Sequence, residues 1–366
     1  MPRSALWSIS DSESSLTELP EYPWLEPSRK KLLSGGDTHH CLLLSGGAGI
    51  GKAVLALELA QRLLCEDLEG EDPCKRCPSC HLVSHSLHPQ LHVLIPESLI
   101  EESHPILQVH AQRYLDSGRS TQKRKPSGQI NVDSTRLLSE NLLTTVAANG
   151  RKVVLIIAAD AMNRNAANAM LKVLEEPTAR TRFILVSSYP YRLPATIHSR
   201  CIRLDSPTPS EQETARWLQS RHDVDPDDLA ILFRSGLGPL ELSQIIEGQR
   251  TDTIGDLIRC CTDSGDKVVD PLALAALCTK IGTGRALSIL QSIALVAIRE
   301  RVRADSSPNP VVRGLFGRPK LALEAFKRLG VARERFNTPV DEQLCLEDIC
   351  AWLCSAGGRQ RLSPRR

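Results

Sequence analysis

The feature that most limits how this chain can fold is a glycine-rich loop that stands between a strand and a helix. Residues 41–45 form a short apolar run typical of a buried strand, and from Lys52 to Cys65 apolar residues recur at helical spacing. The residues between them fit the pattern G-x-x-x-x-G-K, in which backbone amides and the helix dipole cradle an anion. The candidate phosphate-binding residues are Gly46, Gly49, Gly51 and Lys52. This arrangement predicts an α/β domain with a phosphate-binding P-loop.

The groups that would hold magnesium at such a loop are missing. Ala53 stands where a serine or threonine normally gives its hydroxyl to the metal. After the apolar run 153–156, Ile157 and Ala158 occupy the places where related ATPases carry acids that hold the magnesium shell and polarise water. Asp160 follows them, either as a displaced magnesium ligand or, in the reading we favour, as a residue that orients the next turn. We therefore predict that this loop does not hydrolyse ATP, while the binding of ATP stays open.

Four of the twelve cysteines are clustered, and their spacing predicts a metal site. Four thiolates suit tetrahedral zinc and leave no position for water, so the metal would be structural. The predicted ligands are Cys65, Cys74, Cys77 and Cys80. Cys74 and Cys77 alone also have the spacing of a redox pair, and an iron–sulfur cluster is a third alternative. A following histidine could replace one cysteine, and the candidates are His81, His85, His88 and His92.

The pattern of apolar residues changes near residue 206, which predicts more than one domain. Up to that point, strand-like runs alternate with helical patterns, as in a parallel sheet with helices on both faces. We predict an α/β domain over residues 1–206, with the zinc-binding segment inserted at 65–80 and a basic loop at 111–129. Patterns rich in leucine and alanine then predict a small helical domain at 207–253 and a helical C-terminal domain at 254–366.

The overall charge of the chain excludes few classes of function, because 45 basic and 43 acidic residues give a formal net charge of +2. Any contact with nucleic acid must come from local clusters such as the basic loop, for which a solvated insertion and a contact with DNA phosphates are both open. No apolar run approaches the length needed to cross a bilayer, and the first residues carry no signal-peptide core. These observations predict a cytoplasmic protein with no membrane partner.

Three segments, taken together with the cysteines, resemble bacterial DNA polymerase III clamp-loader subunits of the gamma/tau and delta-prime group. They are Tyr22-Pro23-Trp24-Leu25, residues 160–177 with the core Ala-Met-Leu-Lys-Val-Leu-Glu-Glu-Pro, and residues 193–201 ending in Ser-Arg-Cys. The likeness extends over about residues 20–245. Gamma/tau subunits keep the magnesium ligands and a sensor arginine, near whose position this chain has Leu240. In these departures from the gamma/tau pattern, the chain resembles the delta-prime branch of the group.

The resemblance implies an AAA+ fold in which the helical regions form a lid and a collar that joins the subunits. It also implies that Arg200, in the Ser-Arg-Cys triplet, acts in trans as an arginine finger on ATP bound to a neighbouring gamma/tau subunit. A surface arginine paired with a carboxylate is the alternative for this residue. The implied partners are the gamma/tau and delta subunits, the sliding clamp and primed DNA. The chain itself would catalyse no reaction, although it would belong to a DNA-directed DNA polymerase holoenzyme.

Two other functions stay open from the sequence. One is a catalytically active gamma-type ATPase with relocated acids, which would turn over ATP on its own. The other is a zinc-dependent DNA-binding module that uses the P-loop fold as a scaffold, and it would bind DNA tightly in isolation.

Overall fold

The computed structural model describes most of the chain and divides it into two compact units. The described residues are 22–34, 39–115, 126–143, 150–178, 180–262, 269–303, 315–316, 319–335 and 341–358. Unit 1 covers Met1–Ser210 and unit 2 covers Glu211–Arg366. The boundary between the units lies a few residues beyond residue 206, where the sequence pattern changes.

Unit 1 contains a five-stranded sheet in which every neighbouring pair of strands is parallel. The strands are β1 (Cys41–Ser45), β2 (Leu91–Leu94), β3 (Lys152–Ile156), β4 (Thr181–Ser187) and β5 (Ile202–Asp205). Their spatial order is β2-β3-β4-β1-β5. The parallel sheet predicted from the alternation of strand and helix patterns is therefore confirmed.

Helices cover both faces of this sheet, as that alternation also predicted. They are α1 (Glu26–Ser34), α2 (Lys52–Leu64), α3 (Pro78–Ser84), α4 (Pro105–Ala111), α5 (Val132–Leu142), α6 (Arg164–Glu175) and α7 (Ala195–His198). One hydrophobic core forms between the sheet and α2 with α4, and the other between the sheet and α5 with α6. Successive residues of β1 enter different cores, because side chains alternate across a strand: Leu43 packs with α6 and Leu44 with α2.

The strand β3 is as deeply buried as its apolar sequence predicts. Each residue from Val153 to Ile156 is 0% exposed, since helices cover both sides of the strand. Burying an aliphatic side chain of this size contributes roughly 1.5–3 kcal/mol. At the start of the strand Lys152 is also buried, and its ammonium donates a hydrogen bond to the carbonyl of Leu142 at the end of α5.

Local signals set the ends of the helices that follow the strands. The helix α6 begins after Asn163, whose side-chain oxygen accepts a hydrogen bond from the amide of Ala166 at 2.8 Å, and it ends before Pro177. The helix α2 begins at Lys52, directly after Gly51, whose φ of +91° is a conformation that favours glycine.

Helices lie on both sides of the segment predicted as a basic loop, 111–129. The helix α4 before it ends at Ala111, and its first turn is capped by the ring of His104. The helix α5 after it is capped by Asn131, whose side-chain oxygen accepts from the amide of Ser134 at 2.8 Å. Residues 116–125 of the predicted basic loop at 111–129 lie outside the described residues.

Unit 2 is helical, and the part of it that the structure describes contains no strand. Its helices are α8 (Glu211–Gln219), α9 (Pro226–Phe233), α10 (Pro239–Glu247), α11 (Thr251–Thr262), α12 (Pro271–Ile281), α13 (Thr283–Arg303), α14 (Pro319–Arg335) and α15 (Glu342–Gly358). The helix α12 packs on α15, and α13 packs on α14. The predicted boundary at 253/254 falls within α11. The division into a lid and a collar stays a prediction.

Within the described ranges, no single helix is long and apolar enough to cross a membrane. Two consecutive helical segments, α12 and Thr283–Arg299, are long and apolar enough only when they are taken together, and the chain bends by 116° between them.

Three buried histidines should make the folded state of unit 1 sensitive to acid. Burial lowers the pKa of His92 and of His104 to about 4 and that of His110 to about 3, against about 6.5 in an unfolded chain. Between these values the unfolded chain binds more protons. The stability that the neutral rings contribute is therefore fully present above about pH 6.5 and is lost as the pH falls towards 3 or 4.

A substitution at His110 tests this expectation, because its side chain is 0% exposed and its pKa is lowered chiefly by burial. Urea unfolding at pH 7, 6 and 5 should show that His110→Phe loses about 2 kcal/mol less than the wild type on acidification to pH 5. The exposed His39 provides the control, and His39→Gln should lose stability as the wild type does. Equal acid sensitivity of the His110 variant and the wild type would contradict the prediction.

Candidate functional site

The glycine-rich loop, residues 46–51, packs against aromatic side chains that precede α1. The indole of Trp24 donates a hydrogen bond to the carbonyl of Ile50 at 2.8 Å. The ring of Tyr22 stacks on that of Trp24, with centroids 5.5 Å apart, and it also covers the end of the loop. A Cβ atom at Gly51 would overlap the ring of Tyr22. The Tyr-Pro-Trp-Leu segment singled out in the sequence is therefore part of the wall around the loop.

The ammonium of Lys52 lies among hydrogen-bond acceptors of its own unit. It donates to the carbonyls of Gly46 and Gly47 and, at 3.1 Å, to the hydroxyl of Ser188. Gly49, with a φ of +65°, forms a left-handed turn between these glycines and the lysine. A phosphate entering the loop would compete with the two carbonyls for the ammonium. The structure thus brings the four predicted loop residues together, and nucleotide binding by them stays a prediction.

Asp160 connects the ends of β3 and β4. Its Oδ1 accepts hydrogen bonds from the hydroxyl of Ser187 at 2.6 Å and from the amide of Ser188 at 3.1 Å. The chain reaches this position through Ala158, whose φ of +53° lies in the left-handed region; that conformation costs roughly 1–2 kcal/mol for a residue with a side chain. Since Ser188 also accepts from Lys52, the hydrogen bonds run continuously from the carboxylate to the ammonium. These contacts favour the interpretation of Asp160 as a residue that orients the turn.

The three positions where related ATPases hold magnesium or polarise the attacking water carry hydrocarbon side chains here. Ala53 lies in the first turn of α2, Ile157 is 7% exposed, and Ala158 forms the left-handed turn. Magnesium prefers oxygen ligands, and phosphoryl transfer depends on the metal for charge stabilisation. These positions therefore cannot supply the side-chain ligands of a hydrolytic site.

The four clustered cysteines converge in the structure as their spacing predicts. Their Sγ atoms all lie within 4.8 Å of one another, and Cys65 is 3.6 Å from Cys74 and 4.0 Å from Cys77 between sulfurs. A tetrahedral zinc ion with ligand distances of about 2.3 Å places its sulfurs roughly 3.8 Å apart. Among the described residues, Cys80 completes this group and no histidine belongs to it. The four cysteines could hold a metal ion without a histidine.

Backbone amides point at the sulfurs of this group. The amide of Cys74 donates to the Sγ of Cys65, that of Cys77 to the Sγ of Cys74, and that of Cys80 to the Sγ of Cys77, at 3.3–3.4 Å. Burial alone would raise the pKa of the Cys77 thiol, but the amides of Glu66 and Cys80, together with the thiols of Cys80 and Cys74, outweigh it and lower the pKa to about 7. Burial raises the pKa of Cys65 and of Cys80. Donors of this kind stabilise thiolates, which are the form that binds metals.

Ion pairs and a hydrogen bond attach the cysteine segment to α1 and α2. The guanidinium of Arg29 on α1 contacts Glu58 on α2 at 2.5 Å and Asp72 in the cysteine segment at 2.7 Å. Arg62, near the end of α2, donates to the carbonyl of Glu71 at 2.9 Å. The segment is therefore held against the helix that starts at the glycine-rich loop.

Arg200 lies at the end of the connection between β4 and β5, just after α7. Its Nη2 contacts the Oε1 of Glu175 at 2.5 Å, and its Nη1 donates to the carbonyl of Thr196 at 2.8 Å and to the hydroxyl of Ser199 at 3.2 Å. The side chain is 32% exposed. The structure therefore shows a partly exposed arginine paired with a carboxylate inside its own unit, which is the alternative weighed for this residue in the sequence.

Comparison with known proteins identifies the family. A family model described as DNA polymerase III, delta subunit, matches residues 28–209. The DNA polymerase III subunit delta' of Pseudomonas aeruginosa is 36% identical over 230 residues, 62% of each chain. The subunit of the same name from Escherichia coli is 32% identical over 252 residues, 67% of each chain. The chain belongs to the DNA polymerase III delta-prime family.

The likeness to the delta-prime family does not extend over the whole length of these proteins. The chain matches 62% of the length of the Pseudomonas aeruginosa protein, which is less than two thirds. The DNA polymerase III subunit tau of Salmonella typhimurium is 29% identical over 262 residues, which is 71% of this chain but 35% of that protein. The resemblance to the delta-prime and gamma/tau group is confirmed at the level of the family.

Some residues that shape the site of this delta-prime family member could not be found from the sequence. Glu175 lies 25 positions before Arg200, and no local spacing relates the two. The carbonyl of Ser206 closes over Gly46, and the hydroxyl of Thr208 lies beside Gly47. These residues follow β5, and they reach the loop only because β5 pairs with β1.

Replacement of Asp160 should cost stability. The variant Asp160→Ala leaves the hydroxyl of Ser187 and the amide of Ser188 without their acceptor, so we expect a loss of about 1–3 kcal/mol in the free energy of unfolding. Chemical denaturation at pH 7 measures it. The exposed pair of Asp133 with Arg136 offers a control, and Asp133→Ala should change stability by less than about 0.5 kcal/mol. A neutral Asp160→Ala variant would contradict the orienting role.

Proposed function

We propose that this member of the delta-prime family is a subunit of a replicative clamp loader that does not hydrolyse ATP itself. In this proposal unit 1 is an AAA+ domain, and unit 2 contributes a helical lid and a collar that joins neighbouring subunits. The subunit acts with gamma/tau and delta subunits in loading the sliding clamp onto primed DNA. It works in the cytoplasm and has no membrane partner.

The chemistry at the glycine-rich loop carries the proposal. Ala53 and Ile157 have no oxygen to offer magnesium, and Asp160 is engaged by Ser187 and Ser188. Without those oxygens a bound triphosphate would lack the metal that stabilises charge during phosphoryl transfer. Any hydrolysis that this subunit promotes must therefore take place at a neighbouring ATP site.

Arg200 is the residue that would act on the neighbouring site. A guanidinium stays protonated at every physiological pH and can bind two phosphate oxygens at once. The partial exposure of Arg200 supports its availability to another subunit. Arginine fingers supplied in trans raise the rate of related hydrolases by roughly 10³–10⁵. Such an arginine needs no catalytic groups at the loop of its own subunit.

The variant Arg200→Ala tests this role in a complex assembled with gamma/tau and delta subunits. Hydrolysis at the adjacent gamma/tau site, isolated by inactivating the other gamma/tau sites, should fall by a factor of roughly 100 or more in the presence of primed DNA. Arg192, whose guanidinium lies over the ring of Tyr189, is a surface control, and Arg192→Ala should keep the wild-type rate.

The isolated chain completes this test. It should show no magnesium-dependent ATP turnover, and turnover at the rate of a gamma/tau subunit would favour the rival function of an active ATPase. Full hydrolysis by the Arg200→Ala complex would remove the finger role while leaving family membership intact.

We also infer that the four cysteines bind structural zinc. The distances between their sulfurs and the amide donors around them suit a tetrahedral thiolate site, and four protein ligands leave no place for a substrate or water. Zinc would fix the segment between α2 and α3, while Arg29 and Arg62 hold that segment against the helices.

Metal analysis tests the zinc assignment. The chain purified without chelator should contain equimolar zinc. Cys77→Ser should lose the zinc and on the order of 3 kcal/mol or more of stability, because loss of a metal site is among the largest single-residue effects. Cys345, outside the cluster and partly exposed, is the control, and Cys345→Ser should keep the metal. A metal-free chain with Cys74 joined to Cys77 by a disulfide would instead favour the redox pair.

A further inference from the structure

The carboxylate of Glu175 is the one charged partner of Arg200 in the described part of the chain. The remaining contacts of this guanidinium are neutral acceptors from its own turn, the carbonyl of Thr196 and the hydroxyl of Ser199. The two neutral acceptors belong to the same turn as the arginine. Glu175 belongs to α6, so its contact holds the arginine relative to a second element of the unit.

Both ends of this ion pair are set on packed backbone. Glu175 is the last residue of α6, and the preceding Leu174 is 1% exposed in the core beneath the sheet. On the other side, Ile197 in α7 is 0% exposed in the same core. The carboxylate and the arginine are thus attached to two elements that cannot shift freely. An exposed ion pair of this kind contributes little to stability. Its main physical effect is to restrict the position of the Arg200 guanidinium.

The contacts of Arg200 leave part of its guanidinium available. A guanidinium has five N–H donors; here Nη1 donates to Thr196 and Ser199, and Nη2 donates to Glu175. These three contacts use at most three of the five donors, so at least two have no acceptor among the described residues. Donors that remain available can still contact phosphate oxygens.

We propose that Glu175 is a positioning residue that holds the guanidinium of Arg200 so that its remaining donors face the triphosphate bound by the neighbouring subunit. This inference rests on the proposed function, in which Arg200 acts in trans. Glu175 itself touches no nucleotide. It occupies one donor and thereby fixes which edge of the guanidinium is presented, so that the arginine does not have to be ordered when the neighbouring site reacts.

Four variants in the assembled complex test the proposal: Glu175→Ala, Glu175→Gln, Arg200→Ala and the double variant Glu175→Ala with Arg200→Ala. Hydrolysis is measured at the adjacent gamma/tau site with primed DNA present. We expect Glu175→Ala to lower kcat roughly 10-fold with the KM for ATP unchanged, as misplacement of a catalytic group does. Glu175→Gln keeps an acceptor oxygen and should recover part of the rate. The neighbouring exposed carboxylate gives the control, and Glu176→Ala should keep the wild-type rate.

The double variant separates positioning from a general effect on structure. If Glu175 acts through Arg200, the double variant should hydrolyse ATP at the rate of Arg200→Ala alone, because the carboxylate has nothing left to position. A further fall of about 10-fold in the double variant would overturn the proposal, and so would an unchanged or faster rate in Glu175→Ala. A normal rate in Arg200→Ala would show that the finger role has failed, and the role of Glu175 would fail with it.

Discussion

The parallel register of β1, β3 and β4 is the constraint on which the candidate site depends. Ser45 at the end of β1 lies beside Ser187 at the end of β4, and Ile156 at the end of β3 lies beside Leu185. Because the three strands end at one edge of the sheet, the segments that follow them must meet there. The glycine-rich loop, the turn at Ala158 and the serine pair after β4 are therefore close enough to share hydrogen bonds. In an ATPase this edge holds a metal and a water molecule, whereas here a carboxylate, two serines and a lysine satisfy one another.

The same topology places the arginine at the opposite edge of the sheet. Arg200 lies two residues before Ile202, which pairs with Leu42 near the start of β1. The partner Glu175 is at the end of α6, which returns from the carboxyl ends of the strands before β4 begins. The glycine-rich loop and Arg200 therefore lie at opposite edges of the sheet of one unit. If Arg200 acts on a neighbouring subunit as proposed, the contact would join two different surfaces, head to tail.

The sequence predicts those parts of the fold whose signals are local. The run that forms β3 is continuous and apolar, Asn163 and Pro177 mark the ends of α6, and the four cysteines lie within residues 65–80, so spacing alone relates them. The strands β2 and β5 were not predicted. His92 interrupts the apolar run of the first, and the second is an edge strand with three of four residues exposed, so neither has the pattern of a buried strand. The partners of Asp160 and Arg200 depend on tertiary contacts across 25 or more residues, which no local pattern encodes.

The glycines of the loop have a reason to be present that does not involve a nucleotide. A side chain at Gly51 would overlap the ring of Tyr22, and one at Gly46 would come within 2.7 Å of the carbonyl oxygen of Ser206. The packing of this unit therefore requires both glycines, whatever the loop binds. Lys52 likewise has contacts within its own unit, because its ammonium donates hydrogen bonds to the carbonyls of Gly46 and Gly47. The motif G-x-x-x-x-G-K is thus strong evidence for the fold and weaker evidence for phosphate binding. At the positions where an ATPase carries groups for magnesium and for the attacking water, Ala53, Ile157 and Ala158 have side chains that contain no oxygen.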